Sequence, residues 1–537
     1  FDPIKDRLPP VMTIYDPACG SGGMLTESQN YIIDPDGLIK ATGDVYLYGK
    51  EINDETYAIC KSDMMIKGNN PENIKVGSTL STDEFAAQRF DFMLSNPPYG
   101  KSWNSELKYI KDGNDVIDPR FKVELTDYWG TKETKDATPR SSDGQLLFLM
   151  EMVGKMKSTK DSAIGARIAS VHNGSSLFTG DAGSGESNIR RHIIENDLLD
   201  TIIQLPNNLF YNTPITTYIW LLTNAKPAGR RGRVQLIDAN LLFRKLRKNL
   251  GDKNCEFAPE HIDAITSAYL AFQSVEQSLD SNGDPTGIAV QIFDNTDFGY
   301  HKVTIERPDR RRAQFSAERL APLRFDKSLY EPMEHLWKTH AEAVYEPGYL
   351  KEQAKPIMVW CEEQGITLNA SARAKLTDAT NWKRLRELLA HGNALMQTVG
   401  TEETADYNDF CDSVNKALKA LKIKLSSTEK NAILNAVSWY SEDAEKVIDK
   451  HVRMTNAEAA NMVAQLGCDV ADLGDFGLYK QADGSYLTFA TNVDLRDSES
   501  VPLKDSIHRY FCAEVKPHVE EAWINRDSFK IGYEISF

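Results

Sequence analysis

The sequence predicts an α/β fold on a mostly parallel sheet, followed by a mainly helical region. Three observations carry this. From about residue 11 to 225, short β-prone runs alternate with helix-capable stretches. The first run, Val11 to Tyr15, opens into Asp16-Pro17-Ala18-Cys19-Gly20-Ser21-Gly22-Gly23 and then a helix-capable stretch with Met24, Leu25, Tyr31 and Ile32 as apolar positions. Strand, glycine-rich turn and helix make the βα unit that brings backbone close to a nucleotide. After about residue 255 helical signals dominate, including capping boxes at Ser426/Glu429 and Thr455/Glu458. The sequence therefore divides into residues 1–255 and 256–537.

Taken in order, each element suggests a task. The glycines of the turn remove Cβ atoms that would block a ribose, and Asp16 puts a carboxylate at the strand end. The next strand, Val45 to Gly49, closes with Glu51, placed to grip ribose hydroxyls. A third strand-like run from Asp91 stops at Asn96-Pro97-Pro98-Tyr99. Two consecutive prolines stiffen the backbone and supply no N–H, so Pro97 presents only a carbonyl. The Asn96 amide oxygen and the Pro97 carbonyl can accept both hydrogens of one planar amine, while Tyr99 can stack on the ring that carries it. Residues 101–141 form a polar, charged insertion, either a lid facing a substrate or a surface loop. Residues 179–188 read as a flexible turn before a helix starting near Ile189. Ser413 to Asp449 reads as two helices, with Leu418, Leu421, Ile433 and Val437 facing a core.

In this order the motifs resemble the amino-group methyltransferases that use S-adenosylmethionine. No Cys follows Pro97, as a cytosine C5 enzyme would need, and the turn lacks the spaced glycines of a redox Rossmann enzyme. Downstream stand Ser142-Asp143-Gly144-Gln145, Val171-His172-Asn173, Leu205-Pro206-Asn207-Asn208-Leu209-Phe210 and Thr217-Tyr218-Ile219-Trp220. With these the chain resembles the modification (M) subunit of type I restriction–modification systems, the adenine-N6 DNA methyltransferases. The resemblance covers residues 11 to about 250 and continues more loosely beyond 290.

It implies a Rossmann-like, seven-stranded methyltransferase sheet with helices on both faces and a catalytic domain over 1–255. Asp16, Ala18, Cys19, Gly20, Ser21 and Gly22 would hold the cofactor, Glu51 its ribose, and Asn96, Pro97, Pro98 and Tyr99 the target base. Phe210 would be either the opposing stacking face or an ordinary core aromatic. The implied partners are DNA, a specificity (S) subunit, a second M subunit and a restriction (R) subunit. Ser78 stands where related enzymes often place an acid near the cofactor adenine. The family also carries a Thr-Pro motif and a helical domain ahead of the first strand; this sequence starts about ten residues before that strand, so both are expected either to be missing or to have been cut away with the chain's ends. Residues 256–537 would make subunit contacts or simply pack as a C-terminal domain. Asn-Pro-Pro-Tyr also occurs in enzymes that methylate protein glutamine or RNA, and a catalytically idle assembly subunit is the remaining alternative.

Composition bears on partners. The 537 residues hold 62 basic and 78 acidic side chains, a net charge of −16. That is the wrong sign for gripping DNA unaided and points to affinity borrowed from a partner. Residues 226–253 and 306–312 are local basic exceptions, fit for phosphate contact or for plain solvation. Seven scattered cysteines, no leader and no membrane-length apolar run fit a reducing cytoplasm. The ten histidines show no ligand spacing, so no metal site is expected.

Overall fold

The computed structural model describes residues 1–211, 213–283 and 285–537. Its main sheet has nine strands: β1 (Val11–Asp16), β2 (Asp44–Glu51), β3 (Ile74–Val76), β4 (Phe92–Ser95), β5 (Arg167–Asn173), β6 (Leu199–Gln204), β7 (Thr217–Thr223), β8 (Arg233–Asp238) and β9 (Ala289–Asp294). They lie in the order β9-β8-β6-β7-β5-β4-β1-β2-β3. β1 pairs in parallel with β2 and β4, β2 with β3, β4 with β5, and β6 with β8. β7 runs antiparallel between β5 and β6, and β9 antiparallel on β8. The carboxyl ends of every strand except β7 and β9 therefore share one edge. That is where open α/β sheets bind ligands.

The expected α/β class stands, with a correction to the strand count. Seven strands run from β3 to β6, and β8 and β9 extend that edge. β8 lies inside the stretch read as a basic patch, yet its Val234, Leu236 and Ile237 are buried. Their apolar surface is what adds the strand. Helices α1 (Gly23–Ile33) and α2 (Asp54–Ile66) cover one face, and α3 (Gln145–Gly154) and α4 (Gly185–Glu195) the other. Alternation along β1 divides the core: Ile14 packs with Leu25, Cys60 and Met64, whereas Tyr15 packs with Met93, Leu149 and Ile193.

The insertion at 101–141 is not a bare loop. It forms two hairpins, Lys111–Asp112 with Asp115–Val116 and Lys122–Thr126 with Lys132–Asp136. Val123 and Leu125 alternate with exposed Lys122 and Glu124, and they join Trp103, Ile110 and Phe121 in the core. α4 begins at Gly185, earlier than Ile189, with Ser184 as its cap. A Cβ at Gly185 would lie 1.7 Å from the Thr138 carbonyl, so only glycine admits that start.

The chain forms two units, residues 1–303 with 498–510 and 527–537, and residues 304–497 with 511–526. The division expected at 255 thus falls inside the first unit. β9 hydrogen-bonds onto β8, and the last segment is held by Arg190, which donates to the Tyr533 carbonyl at 2.6 Å. The second unit is mainly helical, led by Ala379–Val399, Tyr407–Ala420, Ser427–Ala436 and Asn456–Leu466. Both capping boxes form as expected. Ile433 and Val437 are buried and Leu418 packs beside them, but Leu421 lies past its helix end and is exposed. Ser438–Tyr440 is a strand on Arg311–Ala313, so the second helix ends well before Asp449. Arg310, Arg311 and Arg312 pair with Glu521, Asp309, Glu403 and Asp443 within this unit, which argues against phosphate contact at 306–312. No helix among the described residues is long and apolar enough to cross a membrane.

Candidate active site

The turn after β1 is fastened at every step. The Cys19 amide donates to the Lys50 carbonyl at 3.0 Å and the Gly22 amide to the Cys19 carbonyl at 2.8 Å. Glu51 accepts from the Gly20 amide with Oε2 (3.0 Å) and from the Asn53 amide with Oε1 (2.8 Å). The glycines divide the work. Gly20, at φ +55°, opens onto free space, whereas a Cβ on Gly22, at φ +85°, would lie 2.8 Å from Cys60 Sγ and Met64 Cε. Gly22 is therefore needed for α2 to pack, not to admit a ribose. The Thr79 hydroxyl donates to the Pro17 carbonyl at 2.5 Å, and Arg120 donates to the carbonyls of Thr79 (2.8 Å) and Leu80 (3.2 Å).

β4 lies beside β1, with Tyr15 opposite Met93, so both loops leave the sheet side by side. The Asp16 carboxylate joins them: Oδ1 accepts from the Ala18 amide (2.9 Å) and from the Ser95 hydroxyl (3.0 Å), one residue before Asn96. Asn96 and Pro98 are exposed, Pro97 is buried and Tyr99 half-buried. The far end of the loop is held where the Gly100 amide donates to Asp143 Oδ1 at 3.0 Å. Gln145 continues this support. Its Nε2 donates to Asp143 (2.7 Å), Asn173 (2.7 Å) and Ser175 (3.0 Å), and its Oε1 accepts from the Asn173 amide (3.1 Å). Burial lowers the His172 pKa to about 3, so the ring is neutral and gives its Nδ1 hydrogen to Gln145 Oε1 at 3.1 Å. The Asp143 and Gln145 roles were hidden in the sequence, because their partners lie after the end of β4 and along β5.

One cavity of about 440 Å³ joins the two halves. Ala18, Glu51 and residues 77–80 wall one side, and Asn96, Pro98, Trp103 and Phe148 the other. Of the residues expected to bind the cofactor, Ala18 and Glu51 are in the wall. Asp16, Cys19 and Gly22 are buried behind it and Ser21 is exposed. Ser78 is in the wall. Tyr99 is outside the wall, and Phe210 packs against the cluster of Ile203, Leu205 and Leu209 as a core aromatic. Sequence reasoning passed over Trp103 and Phe148. Trp103 had no strand or motif around it, and Phe148 sat within an ordinary apolar helix pattern.

Asp16 also makes this region sensitive to pH. Burial pushes its pKa from 3.8 to about 7, against the pull of its hydrogen bonds from Ala18 and Ser95. A raised carboxyl stabilises the fold in its protonated form. That contribution is complete below 3.8 and is lost as pH rises through about 7. The shift corresponds to about 4 kcal/mol. Asp16→Asn should flatten this part of the stability profile when urea unfolding is compared near pH 5 and near pH 8. An undiminished slope in the variant would assign it to other groups.

A model of the family described as "N-6 DNA Methylase" matches residues 5–284. The Type I restriction enzyme MjaVII methylase subunit of Methanocaldococcus jannaschii is 30% identical over 271 residues, 49% of this chain and 41% of that protein. The Type I restriction enzyme HindI methylase subunit of Haemophilus influenzae is 26% identical over 303 residues, 55% of this chain and 60% of that one. The type I restriction-modification methyltransferase subunit from Streptococcus thermophilus, a solved structure, is 25% identical, with 53% of this chain and 51% of that one covered and a TM-score of 0.40. The chain thus spans less than two thirds of the length of these relatives. The matched stretch takes in the glycine turn, the Asp16–Ser95 link and the whole wall of the cavity, and it exceeds half of the 537 residues; the chain belongs to the N-6 DNA methylase family.

Proposed function

We propose that this chain methylates the N6 amine of an adenine rotated out of DNA, using S-adenosylmethionine, as the modification subunit of a type I restriction–modification complex. The observation that carries the reading is the single cavity walled by Ala18 and Glu51 on one side and by Asn96 and Pro98 on the other. The residues fit the cofactor: an open space beside Gly20, and a carboxylate already oriented by the Gly20 and Asn53 amides. When bound, S-adenosylmethionine supplies an electrophilic methyl group on a sulfonium.

The chain's own residues do the rest. Asn96 Oδ1 and the Pro97 carbonyl accept the two amine hydrogens, favouring the pyramidal nitrogen that forms during attack and so stabilising the transition state above the ground state. Asp143, through Gly100, and Asp16, through Ser95, hold both ends of that loop, which is the alignment on which in-line transfer depends. Rotating the base out of the duplex costs a few kcal/mol. Stacking on Tyr99, with Phe148 and Trp103 enclosing the site, returns roughly 1–3 kcal/mol. Once the nitrogen carries the methyl group, it loses one of its two hydrogens as a proton to water.

In this reading the second unit contacts other subunits, and DNA, a specificity subunit, a second copy and a restriction subunit are the partners. The net charge of −16 supports borrowed DNA affinity. Transfer of labelled methyl groups to DNA, RNA and protein, with and without a specificity subunit, tests it. Labelled DNA that increases with the specificity subunit is expected; label in RNA or protein alone rejects the reading.

A further inference from the structure

We infer that the hairpin Arg244–Leu250 with Lys253–Glu256 is a contact for the phosphate backbone of duplex DNA flanking the methylated base. This rests on the DNA reading above and adds the surface that holds the flank. The hairpin carries Arg244, Lys245, Arg247, Lys248 and Lys253 against only Asp252 and Glu256, in a chain that is acidic overall. Arg244, Lys245, Arg247 and Lys248 are all exposed. Only Arg244 is neutralised, by Glu256 at 2.8 Å; Lys245, Arg247 and Lys248 have no ion-pair partner among the described residues. Of the basic residues earlier in the same stretch, Lys226 is paired with Asp197 and Arg230 with Asp200.

The hairpin is also held in place. The Asn254 amide donates to the Asn208 carbonyl, the Asn208 side chain to the Asp252 carbonyl and the Asp252 amide to the Tyr211 carbonyl, each at 3.0 Å. The Cys255 thiol donates to the Asn207 carbonyl at 3.2 Å. The Leu205-Pro206-Asn207-Asn208 segment is thus the hairpin's footing rather than part of the cavity.

Position favours duplex DNA. The hairpin follows the carboxyl end of β8, on the sheet edge that carries Asn96. In the order β8-β6-β7-β5-β4 its root is four strand spacings from β4. At about 4.8 Å per strand this is roughly 19 Å. A strand of DNA advances about 3.4 Å per nucleotide, so a duplex whose target base sits at Asn96 would bring phosphates over the hairpin some five or six base pairs away. Exposed cations without partners are the expected complement to that backbone.

The test uses the full chain with a fluorescent duplex over a range of salt concentrations. Replacing Lys245, Arg247 and Lys248 together with Gln should weaken binding. It should also reduce the slope of log affinity against log salt by about 0.9 per lost contact, about 2.7 in all. Cofactor affinity by calorimetry should be unaffected. Lys67→Gln, at the opposite sheet edge after α2, should leave the slope unchanged. An unaltered slope in the triple variant, or a wild-type chain with no affinity for duplex at low salt, overturns the assignment. So does a larger effect of the substitutions on binding to polyglutamate than to duplex, which would mark an acidic protein as the occupant. Labelled methyl transfer to DNA in the presence of a specificity subunit separates the two readings: transfer with an unaltered slope rejects the hairpin alone, whereas no transfer by the wild type rejects the function.

Discussion

Replacing Asn96 with Ala is expected to lower methyl transfer by on the order of 10²–10³-fold, about 3–4 kcal/mol of transition-state stabilisation. Asn96 is exposed and packs in no core cluster, so the loss should come without a change in stability. One of the two acceptors for the amine disappears while Ala18, Glu51 and their amide partners stay in place. Cofactor affinity by calorimetry should therefore be nearly that of the wild type. Single-turnover transfer to DNA is the appropriate measurement, because it isolates the chemical step. A variant retaining more than about a tenth of the rate, a cost under ~1.4 kcal/mol, would remove Asn96 from the reaction.

Arg120→Ala is expected to have the largest effect on stability, about 3–5 kcal/mol. The insertion brings this guanidinium against Asp118 at 2.6 Å and Glu151 at 3.0 Å, with both partners largely buried. Without it, Glu151 keeps only Lys155 at 3.5 Å and the Tyr15 hydroxyl at 3.1 Å to offset a carboxylate with 1% of its side chain exposed. The same substitution frees the Thr79 and Leu80 carbonyls, which form part of the cavity wall. The KM for S-adenosylmethionine should then rise more than kcat falls. Arg120→Lys should restore little, since an ammonium cannot fork between a carboxylate and two carbonyls. A denaturation midpoint within ~1 kcal/mol of the wild type would show that the network carries less than its burial suggests.

The legible parts of the site were those in which local backbone chemistry and function coincide. Asp16 to Gly23 and Asn96 to Tyr99 announce themselves because glycines and prolines restrict the backbone wherever they stand, and the capping boxes at Ser426 and Thr455 are satisfied within four residues. Gly22 shows the limit of such inference. It was read as room for a ligand, but its missing Cβ is room for Cys60 and Met64, on a helix some forty positions later in the chain. Phe210 and the basic runs stay open in the sequence for a related reason, since an aromatic or charged side chain looks the same in sequence whether it is exposed, packed or ion-paired.

By itself, the sequence determined the α/β class, the glycine turn and the stiff Asn-Pro-Pro-Tyr loop, because these depend on residue-by-residue backbone preference and on alternation that each segment carries with it. Only the tertiary structure decided that Asp16 would brace Ser95, that Asp143 and Gln145 would hold the other end of the loop, and that an apparent loop at 101–141 would supply Arg120 to hold the Thr79 and Leu80 carbonyls behind the cavity wall. It also decided which cations would be neutralised and which left facing outward on the hairpin. These are contacts between residues tens of positions apart, and they form because folding removes the polar groups from water and each must then find a partner that no local pattern specifies.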